Sequence, residues 1–305
     1  MGFFDLQING YGGVDFNSDN LEVEKVETVC LRLLEQGVDN ILATVITDSL
    51  PKMESRLRKI AQLHRASPLL QRVIAGIHIE GPFLNPATGF RGAHPPGAII
   101  PASEDIASRL LEAANGLTRL VTLAPEQDPT GKVIRMLADQ KVTVSAGHTD
   151  ASLDQLKRSI DAGLSLFTHL GNGCPGTLAR HDNIIQRAIS LRKSLWLCFI
   201  ADGVHIPFFV LKNYLDLVGL ENSVVVTDAI LAADLGPGNY RFGIWELSIG
   251  EDLVARAPDH SHLVGSTVTM PRSFENLRRH VGLTLEEARL LLEVNPRKAV
   301  SFHER

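Results

Sequence analysis

The chain has 305 residues, of which 44% are hydrophobic and 21% charged, and its formal net charge is −5. This composition predicts a soluble protein with a sizeable core, and the absence of a basic surplus argues against a nucleic-acid partner. No stretch reaches the roughly 18 apolar residues that a membrane span needs. The three cysteines, Cys30, Cys174 and Cys198, are too few and too scattered for a disulfide framework, so we expect a cytoplasmic protein.

In chain order, short apolar runs alternate with amphipathic stretches, a rhythm typical of parallel strands joined by helices. Eight strands are predicted, at residues 3–9, 40–46, 73–79, 119–125, 141–147, 164–170, 195–203 and 223–229. Eight such units predict an α/β fold, a (β/α)8 TIM-like barrel, with residues 1–305 as a single domain. Residues 231–262 combine a Gly/Pro turn with strand-like alternation, and we expect an insertion there.

Acidic and imidazole side chains stand at the ends of five predicted strands. They are Glu80, His148, His169, His205 and Asp228. Each side chain alone could simply form hydrogen bonds with the backbone of a loop. Because the carboxyl ends of barrel strands converge on one rim, five such side chains together predict a functional site. One carboxylate oxygen and two neutral imidazoles would leave a zinc-like ion an open position for water, whose pKa the ion lowers towards about 7.

Several short segments appear in a fixed order between residues 77 and 270. They read IHIEGPFLN, GAH, SAGHTDA, THLGNG, ADGVH, VVTDA and GSTVTM. This succession, which covers nearly the whole chain, resembles the N-acetylglucosamine-6-phosphate deacetylases of the amidohydrolase superfamily. The resemblance implies metal-dependent removal of acetate from a phosphorylated amino sugar, on a TIM-like barrel that usually forms a homodimer.

Residue by residue, the resemblance implies a metal site and an acid/base group. It makes Glu80, His148 and His169 the metal ligands and Asp228 the catalytic acid/base. His94, in the GAH segment, corresponds to a histidine that contacts the substrate, where it could also stabilise the developing oxyanion.

The first strand differs from that of the two-metal amidohydrolases. Gln7 and Asn9 replace the HxH pair, and neither is a good ligand for a second transition metal. The resemblance therefore predicts one divalent ion, with zinc expected first and iron, cobalt or manganese as alternatives. Gln7 and Asn9 could also hold the strand end by hydrogen bonds. His78, which alternation places on the face of Glu80, is predicted to be a packed, hydrogen-bonded histidine.

The resemblance also implies a phosphate site built from Asn172, Gly173, Arg180 and His205. A guanidinium offers a planar fork that matches phosphate oxygens, and glycine lets the backbone approach closely. The segment TLARHDN around Arg180 departs from the family pattern, which makes His181 the nearest substitute cation. In relatives this loop can be contributed across the dimer interface.

The family usually flanks its barrel with a small β-sandwich, whereas this chain starts at the first strand and ends just after the last helix, so we expect the barrel alone. Two alternatives stay open. One is a single-metal amidohydrolase acting on another N-acyl amino sugar or a cyclic amide. The other is a non-catalytic sugar-phosphate binder, against which Asp228 argues because binding alone needs no base.

Overall fold

The computed structural model describes residues 2–243, 245–259 and 262–301. Eight parallel strands form one sheet in sequential order: β1 (Phe3–Ile8), β2 (Val38–Ile46), β3 (Ile74–Glu80), β4 (Thr118–Leu123), β5 (Thr143–Ala146), β6 (Leu164–Phe167), β7 (Trp196–Ile200) and β8 (Ser223–Val226). Most residues of these strands are buried, as expected where both faces of a parallel sheet are covered. The predicted eight strands and (β/α)8 fold are confirmed.

The sheet closes into a barrel where the residues that follow β8 meet the carboxyl-terminal end of β1. The N–H of Asp228 donates to the carbonyl of Gln7 at 2.9 Å, and the N–H of Asn9 donates to the carbonyl of Ala229 at 2.7 Å. Closure therefore sets the strand-one residues Gln7 and Asn9 directly beside Asp228.

Helices follow the strands. They are α1 (Val23–Glu35), α2 (Leu50–Ala66), α3 (Pro68–Val73), α4 (Glu104–Ala113), α5 (Lys132–Asp139), α6 (Leu153–Ala162), α7 (Ile184–Ser190), α8 (Phe208–Val218), α9 (Met270–Asn276), α10 (Leu285–Arg289) and α11 (Asn295–Ala299). Two π-helical turns, Leu277–Val281 and Leu290–Val294, continue α9 and join α10 to α11. Sequence signals fix helix ends: at α6, Ser152 forms a capping box with Gln155, and Gly163 ends the helix in the left-handed conformation. Within the described ranges, no helix has the length and apolar character to cross a bilayer.

A compact apolar cluster drawn from six strands forms one layer of the core. Its members include Phe4, Leu6, Leu42, Leu120, Leu166, Ile200 and Val226. A larger cluster lies between strands and helices. Because these layers are apolar, polar side chains concentrate at the carboxyl ends of the strands, where the site lies.

A β-hairpin lies within the stretch that follows β8. Its strands β9 (Gly238–Phe242) and β10 (Trp245–Ile249) are antiparallel. Their apolar side chains form a separate cluster that packs against Ile46, at the end of β2, and Ala93. The indole N–H of Trp245 donates to the carbonyl of Ala93 at 3.4 Å. The hairpin thus covers the loop that carries His94.

Candidate active site

Three site residues share one position relative to their strands. His148, His169 and Asp228 are each the second residue beyond the ends of β5, β6 and β8, and their φ angles are 49°, 28° and 51°. The left-handed region costs a non-glycine residue about 1–3 kcal/mol, and such strain persists only where the surroundings enforce it. Glu80, the last residue of β3, completes the group. Glu80, His148 and His169 are buried, and Asp228 is partly buried.

The side chains of Glu80, His148 and His169 converge on one point. Nε2 of His148 lies 3.3 Å from Oε1 of Glu80, and Nε2 of His169 lies 3.1 Å from the same oxygen. Ligands placed tetrahedrally at zinc-like bond lengths lie roughly 3.3 Å from one another. The three donor atoms, all within 4.8 Å of one another, therefore fit a single transition-metal ion.

Neighbouring groups influence the hydrogen bonding and the pKa values of these three residues. The Nδ1–H of His148 donates to the carbonyl of Phe90 at 2.8 Å, which leaves Nε2 with its lone pair free for a metal. Burial would raise the pKa of Glu80, but its close contacts with the imidazoles of His148 and His169 hold that pKa well below its usual range. Burial opposes the charged form of His169, yet the hydrogen bond and charge of Glu80 raise its pKa overall. Glu80 is thus ionised and attracts positive charge to this point.

The amides of strand one bridge the carboxylates. Nε2 of Gln7 donates to Oε1 of Glu80 at 3.0 Å and to Oδ1 of Asp228 at 3.1 Å, while the hydroxyl of Thr168 donates to Gln7 Oε1 at 2.6 Å and fixes the amide orientation. Nδ2 of Asn9 donates to Asp228 Oδ1 at 2.7 Å. N–H groups, which cannot ligate a metal, therefore fill the space between the two carboxylates.

Asp228 has the properties of a group that can carry a proton. Burial and the charge of Glu80 raise its pKa, while His169, His205 and the hydrogen bond from Asn9 partly offset the rise. A raised pKa makes a carboxyl group a better proton acceptor than an ordinary carboxylate, which suits a group that accepts a proton and later gives it back.

A cavity opens above these residues, and His94 forms part of its wall. Its Nε2 lies 3.9 Å from Oε2 of Glu80, and its ring meets that of His148 edge-on at 4.5 Å between centroids. Burial lowers the pKa of His94 to about 3, so its imidazole is neutral. The buried Nδ1 has no hydrogen-bond partner among the described residues.

Three of the four residues expected to bind phosphate line this cavity, namely Asn172, Gly173 and His205. Gly173 has a φ of 61°, and a Cβ there would lie 2.9 Å from Nδ1 of His148, so only glycine fits. Arg180 is exposed on the same loop and is not among the cavity-lining residues, and its neighbour His181 is exposed too.

Sequence reasoning missed two contributions to the site. Phe242 and Leu263 line the cavity from the segment after β8. The strand-like alternation in that segment predicts strands, but it does not predict that they cover the rim of the barrel. Asp202 lies 2.6 Å from Nδ1 of His205, a pairing that the short ADGVH segment could have signalled because the two residues are three apart.

His78 lies beneath the metal-binding point. Its Nε2 is 2.8 Å from the hydroxyl of Thr122, and its Nδ1 is 3.4 Å from that of Thr44. The residue is fully buried, which lowers its pKa to about 4. It is therefore a neutral, hydrogen-bonded part of the layer that supports Glu80.

Comparison with known proteins points to one family. No protein-family model matches the chain. The N-acetylglucosamine-6-phosphate deacetylase of Danio rerio is 30% identical over 100% of this chain and 76% of its own length. That of Bacillus subtilis is 29% identical over the same shares, and the N-acetylgalactosamine-6-phosphate deacetylase of Shewanella sp. is 31% identical over 94% of this chain and 70% of its own length.

Solved structures agree with these relatives. An N-acetyl-D-glucosamine-6-phosphate deacetylase variant from Mycobacterium smegmatis, in complex with N-acetyl-D-glucosamine-6-phosphate, superposes with a TM-score of 0.88 at 30% identity, over 98% of this chain and 77% of its own. The Thermotoga maritima deacetylase gives a TM-score of 0.86 at 28% identity, over 100% and 79%. An organophosphorus hydrolase from Deinococcus radiodurans, 14% identical with a TM-score of 0.55 over 99% and 93%, shares the fold alone. The chain belongs to the N-acetylglucosamine-6-phosphate deacetylase family.

Proposed function

We propose that this chain catalyses the metal-dependent hydrolysis of the acetamide of N-acetylglucosamine 6-phosphate to glucosamine 6-phosphate and acetate. The observation that carries the proposal is the convergence of Glu80 Oε1 with the Nε2 atoms of His148 and His169, beside the partly buried carboxyl of Asp228. Residues 1–305 would act as one catalytic domain, with residues 231–262 as an insertion at the mouth of the barrel.

Glu80, His148 and His169 would hold one divalent ion. A carboxylate and two imidazoles suit zinc first, and iron, cobalt or manganese also accept this donor set. When bound, such an ion polarises the acetamide carbonyl and lowers the pKa of water.

The chain's own residues would move the proton. Asp228 takes the proton of the attacking water and then delivers it to the leaving amine, for which its raised pKa is suited. The neutral imidazole of His94 can donate a hydrogen bond to the carbonyl oxygen as negative charge develops there. The amides of Gln7 and Asn9 hold Asp228 in place.

The 6-phosphate would bind at the other end of the cavity, to the side chain of Asn172, the N–H of Gly173 and the ring of His205. Arg180, on the same loop, remains a proposed contributor that would have to reach the phosphate by a loop movement or from a second subunit. We propose a homodimer, which light scattering tests directly, and Arg180→Ala should then raise KM for the phosphorylated sugar.

A reducing, cytoplasmic location fits the three cysteines, none of which forms a disulfide. Fractionation of cells that express the chain would test this location.

A second substrate deserves equal testing, because relatives at similar identity carry two different names. The Shewanella sp. relative, at 31%, is an N-acetylgalactosamine-6-phosphate deacetylase, and the Danio rerio relative, at 30%, is an N-acetylglucosamine-6-phosphate deacetylase. The two sugars differ only in the configuration at one ring hydroxyl, so the acetamide and phosphate contacts proposed above serve both.

The deciding experiment measures acetate release by the zinc-loaded chain. The substrates are N-acetylglucosamine 6-phosphate, N-acetylgalactosamine 6-phosphate and unphosphorylated N-acetylglucosamine, each with and without a chelator. We expect chelator-sensitive release from the phosphorylated glucosamine. Faster release from the galactosamine compound would assign the second substrate. No release from any of them by folded, metal-loaded protein would refute the deacetylase and favour a different N-acyl substrate or a non-catalytic binder.

A further inference from the structure

Both backbone polar groups of Asp228 form hydrogen bonds with distant parts of the chain. The residue has a φ of 51°, in the left-handed region that a non-glycine residue keeps only where its surroundings enforce it. Its N–H donates to the carbonyl of Gln7 at 2.9 Å, and its carbonyl accepts the N–H of Ser266 at 2.9 Å. The strained conformation is therefore held from β1 and from a segment that lies after the hairpin.

The residue before Asp228 is held from β1 by Asp5, a buried carboxyl group that the proposed reaction does not use. Oδ2 of Asp5 lies 2.5 Å from the hydroxyl oxygen of Thr227. Oδ1 of Asp5 accepts the N–H of Thr227 and that of Gln7, both at 3.2 Å. The Thr227 hydroxyl in turn accepts the N–H of Ala229 at 3.1 Å. This hydroxyl therefore holds the chain on both sides of Asp228.

The contact between Asp5 and Thr227 does not depend on whether the carboxyl group carries a proton. An ionised Asp5 accepts the O–H of Thr227, whereas a protonated Asp5 donates its own O–H to the same oxygen. In the second case the Thr227 hydroxyl can donate to the carbonyl of Gln7, 3.4 Å away. Because a hydroxyl oxygen has two acceptor sites, it keeps the N–H of Ala229 in both cases.

A second hydroxyl holds the same stretch from the GSTVTM segment, to which the proposed reaction gives no role. Oγ of Ser266 donates to the carbonyl of Thr227 at 2.5 Å. The carbonyl of Ser266 accepts the N–H of Ile230 at 2.9 Å, and Ser266 forms a parallel β-bridge with Ala229. Ser266 therefore lies beside this stretch as a short added strand.

Side chains replace part of the strand ladder at this point. All six backbone N–H and C=O groups of residues 227–229 are paired, and side chains of Asp5, Thr227 and Ser266 supply the partners of three of them. Since the left-handed conformation is not the local preference of an aspartate, these contacts are what can maintain it.

We propose that Thr227, anchored on Asp5, and Ser266 are positioning residues whose hydroxyls hold the strained backbone of Asp228, so that its carboxyl group is in place for proton transfer before substrate enters. The inference rests on the proposed function, because it takes Asp228 as the residue that moves the proton. A misplacement of about 1 Å can cost about a hundredfold in rate, so the loss of either hydroxyl should lower kcat. Neither Thr227 nor Ser266 lines the cavity, so KM and metal content should change little.

The first test compares Thr227→Val, which keeps the shape of the side chain without its hydroxyl, with Thr227→Ser, which keeps the hydroxyl. The zinc-loaded full chain is assayed with N-acetylglucosamine 6-phosphate or N-acetylgalactosamine 6-phosphate, whichever the wild type cleaves faster. We expect Thr227→Val to lose about 10- to 100-fold in kcat, with KM within about threefold of wild type and one ion per chain. Thr227→Ser should stay within about threefold of wild type in kcat, because its hydroxyl can form the same hydrogen bonds.

Ser266→Ala removes the second hydroxyl and should show the same loss in kcat, so the test does not depend on how well one variant folds. Thr118→Val and Ser273→Ala are matched controls, since both residues are buried and their hydroxyls form no hydrogen bond within the described ranges. Both controls should keep the wild-type kcat and KM. A wild-type kcat in folded, metal-loaded Thr227→Val or Ser266→Ala would overturn the proposal. An equal loss in Thr227→Ser, or a loss of the ion along with the rate, would overturn it too.

Hydrogen exchange of the backbone N–H groups of residues 228–230 separates this inference from the proposed reaction, because it needs no turnover. We expect exchange at least about tenfold faster in Thr227→Val and Ser266→Ala than in wild type, and unchanged exchange in Thr118→Val. That result supports the restraint on Asp228 even if the chain cleaves none of the sugars, in which case the proposed function alone fails. Unchanged exchange in Thr227→Val and Ser266→Ala contradicts the inference even if deacetylation is established.

Discussion

The side-chain amide of Gln7 lies 3.1 Å from Oδ1 of Asp228, and its N–H donates to that oxygen. The same nitrogen donates to Glu80 at 3.0 Å, so a neutral amide, instead of a second cation, joins the two carboxylates. An N–H group carries no lone pair for a metal. This relationship supports a site for one ion.

The metal content of the protein tests whether the site holds one ion. Elemental analysis after dialysis should give one divalent ion per chain, and Glu80→Gln should bind it at least about a hundredfold more weakly because a charged ligand becomes a neutral amide. Glu104→Gln, at an exposed position in the first turn of α4, is the matched control and should keep the ion. Two ions per wild-type chain would contradict the single-metal site.

The hydrogen bond from Asn9 to Asp228 should control the acidic limb of the pH–rate profile. The bond favours the ionised carboxylate and lowers its pKa. Asn9→Ala removes it, so the pKa of Asp228 should rise and full activity should require a higher pH, by up to about one unit. The measurement is kcat/KM against pH for both proteins, and an acidic limb that stays in place would show that Asp228 does not govern it.

Gly173 should be essential for the position of His148. A Cβ at residue 173 would lie 2.9 Å from Nδ1 of that ring, and the φ of 61° disfavours any side chain. We expect Gly173→Ala to weaken metal affinity by about tenfold or more, since ligand orientation is disturbed. Gly176→Ala, three residues along the same loop, meets no atom within 4 Å and should have little effect. Equal metal affinity in both variants would contradict this packing.

Acid should destabilise the metal-free protein through His78. Burial lowers its pKa to about 4, so the folded state holds the ring neutral while the unfolded state takes up a proton below about pH 6.5. The free energy of unfolding should therefore fall as pH drops from about 6.5 to about 4, by up to about 3 kcal/mol from this residue alone. His94, whose pKa burial lowers to about 3, adds a loss of the same sign.

Urea unfolding in the presence of a chelator, at pH 7, 6 and 5, measures this dependence. His78→Gln removes the titrating ring, so its free energy of unfolding should fall less steeply with acid than that of wild type. Parallel slopes for the two proteins would show that the buried ring does not contribute.

The strands, the barrel and the positions of the polar strand ends could be predicted from the sequence, because buried parallel strands read as apolar runs and their ends share one rim. Glu80 illustrates this, since it is the last residue of β3 in the structure. The left-handed backbone of His148, His169 and Asp228 could not be predicted, since it follows from tertiary contacts and not from local preference.

The contacts that long loops make with the site also could not be predicted from the sequence. Phe242 reaches the cavity from a hairpin some 160 residues beyond Glu80, and only the packing of that hairpin on Ile46 and Ala93 puts it there. Arg180 shows the converse, because its residue type fits phosphate while its place on the loop is exposed. The chemical type of a site residue can be predicted from the sequence, whereas the position of a distant loop relative to the cavity depends on tertiary packing.

The most direct test of the central claim is to measure kcat and metal content together in Asp228→Asn, with N-acetylglucosamine 6-phosphate as substrate. If Asp228 moves the proton while Glu80, His148 and His169 hold the ion, the variant should keep one ion per chain and lose about 10²- to 10⁴-fold in kcat. A variant that keeps its ion and nearly all its rate, or one that loses the ion along with the rate, would contradict this division of roles.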